Sequence, residues 1–133
     1  MAEFTVGDVI AERTLHLTRE SLVRYAGASG DFNPIHYRDD VAAAVGLPGV
    51  LAHGMLTMGI ASSVVLSALP ADTRVVDYGV RFTKPVIVDA ETGADVHVVA
   101  KVGAVDETAA RIDLTVKAAE ATVLVKAQLR VAL

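Results

Sequence analysis

The chain has no cysteine, which excludes disulfide frameworks, thiolate metal sites and cysteine nucleophiles, and leaves no mark of a redox compartment. Tryptophan is absent and aromatic residues are only 5% of the total, while twelve Lys and Arg stand against sixteen Asp and Glu with no basic cluster. A nucleic-acid partner is therefore not expected, because such partners call for positive patches and stacking rings. No Gly-rich nucleotide fingerprint is present, so neither a nicotinamide nor a flavin cofactor is expected. The first ten residues lack the basic start and apolar centre of a signal peptide. The longest apolar stretch, Met55 to Leu69, is interrupted by Thr, Gly and Ser and stops at Pro70. The expectation is a cytoplasmic protein without a membrane span.

What is there suffices for one core. The 133 residues are 53% hydrophobic, and residues 1–133 read as a single domain. Val9 to Leu17 mixes β-branched and polar residues in the manner of a strand. Thr18 can cap a helix over Arg19 to Ala26, with Leu22, Val23 and Ala26 on its apolar face and Gly27 ending it. Asp39 is placed to cap a short helix running to Val45, with Gly46 behind it and Pro48 blocking continuation. Met55 to Leu69 is apolar nearly all round, which marks a helix enclosed by other structure.

Four strands follow, at Arg74 to Phe82, Gly93 to Val102, Arg111 to Ala118 and Val123 to Val131. Turns are expected at 89–92, 103–107 and 119–121. In the last strand Val123, Val125, Ala127, Leu129 and Val131 alternate against Lys126, Gln128 and Arg130. An antiparallel sheet with one wet face needs a cover for the other, and the central helix is apolar enough to provide it. The predicted class is α+β, a curved antiparallel sheet around a central helix.

The run Ser29-Gly30-Asp31-Phe32-Asn33-Pro34-Ile35-His36 concentrates groups that a plain loop does not need. Pro34 fixes its own φ and pushes Asn33 into extended geometry, and Gly30 permits a sharp turn ahead of the carboxylate. Seventeen residues after His36 come His53 and Gly54, at the start of the central helix, where unpaired amides face outward and favour negative charge. An acid, an imidazole and a helix N-terminus are thus close in sequence. By themselves the residues leave alternatives open. Asp31 can serve an Asx turn and His36 a structural hydrogen bond. Asp31, His36 and His53 have metal-ligand chemistry, but no i,i+4 histidine pair or fourth ligand accompanies them, so no metal is expected. His53 reads as a support for the loop, and His16 and His97 as ordinary strand histidines. Lys84, beside Pro85, could meet a phosphate or could simply be solvated.

The segment Tyr25 to His36, followed by Ala52-His53-Gly54-Met55, resembles the MaoC-like, (R)-specific enoyl-thioester hydratase/dehydratase family of hot-dog proteins. Within that family the likeness is greatest to the B subunits of bacterial (3R)-hydroxyacyl-ACP dehydratases. The resemblance implies a helix wrapped by a sheet, dimerisation through the sheet, and reversible syn addition of water to the double bond of an acyl thioester, carried by CoA or ACP. It places the catalytic aspartate at Asp31, the catalytic histidine at His36, the motif asparagine at Asn33 and the oxyanion-hole amide at Gly54. Ser62 falls where many hydratases have a serine near the site, though roughly 12 Å along the helix from Gly54. Many members have an acidic residue two positions after the histidine, where this chain has Arg38 and then Asp39. That departure bears on how the overhanging segment packs over the acyl chain.

The chemistry calls for the same groups. Water attacks an enoyl thioester only if a base takes a proton as the C–O bond forms, and a proton must reach the α-carbon. Positioned acid/base groups contribute about 10²–10⁴-fold each. Charge building on the thioester oxygen is met by preorganised amides. Two other functions fit a hot-dog chain. A thioesterase of the common kind has a carboxylate on or beside the central helix, and Met55 to Leu69 contains none. A non-catalytic acyl-binding subunit of a heterodimer would lack the acid/base pair that is present here. A homodimer is expected, with a heterodimer of related chains as the alternative.

Overall fold

The computed structural model describes residues 3–133. Five strands, β1 (Val9–Leu17), β2 (Val75–Phe82), β3 (Ala94–Val105), β4 (Ala109–Ala118) and β5 (Ala121–Ala132), form one antiparallel sheet in the order β1-β3-β4-β5-β2. Between β1 and β2 the chain forms α1 (Arg19–Ser29), a 3-10 turn (Pro34–His36), α2 (Asp39–Ala44) and α3 (Gly54–Ser67). The predicted α+β class and the helix-covered sheet are both present. α3 turns Thr57, Ala61, Val64 and Val65 inward, a one-sided stripe at helical spacing, and packs on β1, β3 and β4. Opposite it, Val96, Val98, Ala100 and Val102 of β3 and Ile112, Leu114 and Val116 of β4 alternate inward and are buried, as the two-residue period of a strand requires.

Several boundaries differ from the sequence reading. Gly27 does not end α1. One glycine costs only about 1 kcal/mol relative to alanine in a helix, and the helix continues to Ser29. Gly30 is the C-cap, in the left-handed region at φ 78°, and donates its N–H to the Ala26 carbonyl. The N-terminal cap is as expected, with the Thr18 hydroxyl accepting from the Ser21 amide while the Ser21 hydroxyl accepts from the Thr18 amide. Asp39 is the first residue of α2 and not its cap. Its carboxylate instead receives two hydrogen bonds from Arg19, at 2.8 and 3.2 Å. Arg19 also donates to the Val88 carbonyl, so the starts of α1 and α2 are tied to the same stretch of backbone.

The turn expected at 103–107 is shorter, because β3 runs on to Val105 through a bulge between Val102 and Ala104. A Cβ at Gly103 would collide with the paired Asp113 and Arg111 side chains, its nearest atom being Asp113 Oδ2. Glycine here leaves room for that ion pair and does not serve a turn. The β4–β5 hairpin closes on Ala119 and Glu120, both at positive φ, the pattern of a two-residue type I′ turn. The clean alternation expected of β5 fails at Lys126, where φ is 48° and the register shifts. The extra residue resets the pleat, so Leu124 is buried and Val125 only half-buried.

Candidate active site

Local chain chemistry builds the loop that follows α1. The Asp31 carboxylate accepts from the Asn33 amide at 3.1 Å, and the Asn33 side chain accepts from the Ile35 amide at 3.2 Å, capping the Pro34–His36 turn. Asn33 lies at φ −58°, ψ 121°, the extended geometry that a following proline enforces. Two successive side-chain turns and one proline leave this segment few alternatives.

A second strand-like segment fixes the imidazole. Val50 to Ala52 pairs with Val86 to Val88 through Ala52 N–H to the Val86 carbonyl and Val88 N–H to the Val50 carbonyl, each 2.9 Å. Leu51 then faces the loop, donating its N–H to the Ile35 carbonyl and accepting at its own carbonyl from His36 Nδ1 at 2.7 Å. A carbonyl only accepts, so the His36 proton sits on Nδ1 and the Nε2 lone pair is left free. That nitrogen stands 3.9 Å from Asp31 Oδ2. The His36 side chain is 8% exposed and that of Asp31 52% exposed, so the imidazole is sheltered while the carboxylate meets solvent.

His53 completes the cluster. It occupies the N-cap position of α3 without a side-chain cap bond, its Nε2–H donates to the Asp31 carbonyl at 3.2 Å, and its ring stacks on His36 with centroids 3.8 Å apart. Tyr25 meets the same ring edge-on at 4.8 Å. Its Nδ1 is buried with no hydrogen-bond partner, an omission that costs roughly 1–3 kcal/mol. Burial holds the His53 ring below the ordinary histidine range. The hydrogen bond to the Asp31 carbonyl opposes that shift, and repulsion from His36 whenever that ring is protonated adds to it.

Gly54 is the first residue of α3, and among the described residues no backbone or side-chain acceptor takes up its amide. A Cβ there would lie 2.9 Å from the Phe82 ring, so the room gained by glycine is shared with that ring. A cavity of about 280 Å³ opens beside it, lined by Leu51, Gly54, Thr57, Phe82, Lys84 and Leu124 among others but not by Asp31, His36 or His53, so it meets the cluster through Leu51 and Gly54. A larger hollow of about 440 Å³, past Pro70 near Asp72, Arg74 and Leu133, carries none of these groups.

Asp31, His36 and His53 thus converge, their ligand-type atoms lying within 4.8 Å of one another. Two near-parallel imidazoles direct their lone pairs along separate planes, so a single ion would meet at most one of them in line. Such an arrangement suits proton transfer better than metal ligation. Ser62 is elsewhere in the fold's hydrogen bonding, its hydroxyl donating to the Gly59 carbonyl one turn back at 2.7 Å. His16 and His97 pair with Asp95 and with Glu12 and Thr14 on the outside of the sheet. Sequence reasoning missed Leu51, Tyr25 and Phe82. Leu51 acts through its backbone, which leaves no residue signature, whereas the two aromatic residues were visible in a chain with only 5% of them.

Residues 3–122 match the MaoC like domain family. The chain belongs to this family. It is 39% identical over 79 residues to a 3-hydroxyacyl-thioester dehydratase X of Mycobacterium tuberculosis, covering 59% of this chain and 27% of that protein. To an (R)-specific enoyl-CoA hydratase of Rhodospirillum rubrum it is 31% identical over 83 residues, covering 62% of this chain and 58% of the other. A solved MaoC-like dehydratase superposes with a TM-score of 0.88 at 34% identity, covering 98% of this chain and 40% of that one. The chain therefore matches only part of the length of these MaoC-like relatives. The hot-dog fold expected from the Asp31 to His36 and Ala52 to Met55 motifs is that of its structural neighbours.

Proposed function

We propose that this MaoC-like chain catalyses the reversible addition of water to trans-2-enoyl thioesters, giving (3R)-hydroxyacyl thioesters. The observation that carries the reading is the free Nε2 of His36 facing Asp31 Oδ2 across 3.9 Å. That distance is too long for a direct hydrogen bond and suits two groups sharing one water oxygen. In the hydration direction the pair removes a proton from water as its oxygen bonds to the β-carbon, and a proton is returned to the α-carbon. The electron pair of the double bond passes through an enolate whose oxygen accepts from the Gly54 amide, a type of contact worth roughly 3–4 kcal/mol. Asn33 holds the loop, His53 supports it, and Ser62 lies outside the proton path. The name of the Rhodospirillum rubrum relative supports a CoA thioester. That of a mitochondrial 3-hydroxyacyl-[acyl-carrier-protein] dehydratase of Arabidopsis thaliana, 31% identical over 86 residues, supports a carrier-protein thioester. Lys84, which lines the cavity, suits the phosphate of either.

The proposed unit is a dimer. β2 is a sheet edge, and Val75, Val76 and Phe82 on it are exposed, an arrangement that natural sheets cover by pairing. The whole acid/base set is on one chain, so a homodimer suffices. Among the described residues no helix is long and apolar enough to cross a membrane.

Hydration of crotonyl-CoA and longer trans-2-enoyl-CoAs, followed as loss of enoyl absorbance with chiral analysis of the product, tests the reading. The expected product is the (3R) isomer, formed without added metal or nucleotide. A (3S) product, or no turnover with either carrier, would contradict it. Sedimentation is expected to give a dimer; an inactive chain restored by a second hot-dog subunit would point to a heteromer.

A further inference from the structure

The His53 side chain touches both halves of the acid/base pair. Its Nε2–H holds the main chain at Asp31, its ring backs the His36 ring, and its own backbone leads directly into the Gly54 amide. It is 2% exposed. The buried, unpartnered Nδ1 offsets what the Nε2–H bond to Asp31 contributes, so stability is a weak reason for histidine here. The geometry points to His53 as a positioning residue: a neutral imidazole, protonated on Nε2, that sets Asp31, His36 and the first amide of α3 relative to one another.

Neutrality is part of the role. The titratable groups facing the ring are Asp31 and His36 in the loop and Tyr25 on α1. A proton added at Nδ1 would place a cation against the His36 ring, the ring that takes up a proton in the proposed reaction, in a site with little water. The lowered basicity of His53 agrees with this, its first cause being burial.

This inference rests on the proposed hydration chemistry only for its kinetic arm. ¹⁵N-imidazole NMR of the whole protein reads the tautomer without any substrate. The expected spectrum at pH 7 shows His53 neutral with its proton on Nε2; an Nδ1–H tautomer or an imidazolium would overturn the proposal. In the kinetic arm, His53→Phe keeps a stacking ring and removes the donor, whereas His53→Gln replaces the donor without the ring. His53→Phe should lower kcat by about 10²-fold through misplacement of the pair, with KM nearly level and Tm not lowered. His53→Gln should recover about tenfold of that loss and move the acidic limb of the kcat profile to lower pH. Full activity in both variants overturns the proposal. So does a loss that follows Tm in His53→Phe with no recovery and no movement of the acidic limb in His53→Gln. If His53→Phe does not fold, the acidic limb of His53→Gln decides. A wild-type protein inactive on every enoyl thioester would remove the proposed reaction and leave the NMR result to judge His53.

Discussion

The outer face of the sheet carries a tighter acid–imidazole–hydroxyl arrangement than the loop after α1 does. His97 Nε2 lies 2.8 Å from Glu12 and its Nδ1 2.9 Å from Thr14, against 3.9 Å between His36 and Asp31. By hydrogen-bond length alone the outer trio would be chosen as the site. Its imidazole is 44% and its carboxylate 57% exposed, and among the described residues no helix N-terminus adjoins it. Water screens such a pair and reduces its contribution to about 0–1 kcal/mol. The inner pair is looser but borders a buried ring stack and an amide with no acceptor. What distinguishes the two regions is surroundings, not contact distance.

The strongest test of that contrast is to remove equivalent groups on each side. Asp31→Asn or His36→Ala is expected to reduce kcat by about 10²–10⁴-fold with the fold retained, while His97→Ala leaves turnover of enoyl thioester unchanged. Steady-state kinetics with Tm on the same samples checks both. A large loss in His97→Ala would reverse the assignment of the two regions.

Gly54→Ala probes the helix end. Its new methyl meets the Phe82 ring at 2.9 Å, and kcat should fall by about tenfold, a change equivalent to roughly 1.4 kcal/mol. Because Phe82 is 54% exposed its ring has room to swing away, so Phe82→Ala in the same chain should return part of the loss. No recovery would show that the added methyl blocks the thioester itself.

Acid sensitivity of stability tests the inner region as well. The folded His53 takes up a proton less readily than the unfolded chain, whose histidine midpoint is near 6.5. In that window the unfolded state binds more protons, so its contribution is complete above the unfolded value and is lost as pH falls through the lower folded one. Urea midpoints should decline across this range in the wild type and decline less in His53→Gln. Equal slopes in the wild type and His53→Gln would refute it.

The smallest effect is expected at Ser62. Its hydroxyl is already donated to Gly59, and Ser62→Ala should alter kcat by no more than about twofold, the scale of a roughly 0.5 kcal/mol surface change. A loss like that of Asp31→Asn would move Ser62 into the proton path.

Much of this protein was legible in one dimension because its signals are local. Pro34 and Asn33 stiffen the acid/base loop through their own backbone preferences, and the apolar run from Met55 marks the central helix, although a run apolar nearly all round did not reveal that Thr57, Ala61, Val64 and Val65 are the side that faces inward. These depend on residues within a few positions of one another. The end of α1 was misread because a glycine inside a helix and a glycine that caps it look alike until φ is known. The reset of β5 at Lys126 was hidden because a bulge is a pairing property. Only tertiary structure decided that the Leu51 carbonyl sets the His36 tautomer, that Phe82 shares the space at Gly54, and that His53 touches both halves of the pair. A backbone carbonyl is the same group in every residue, and what it accepts depends on which distant segment the core places beside it.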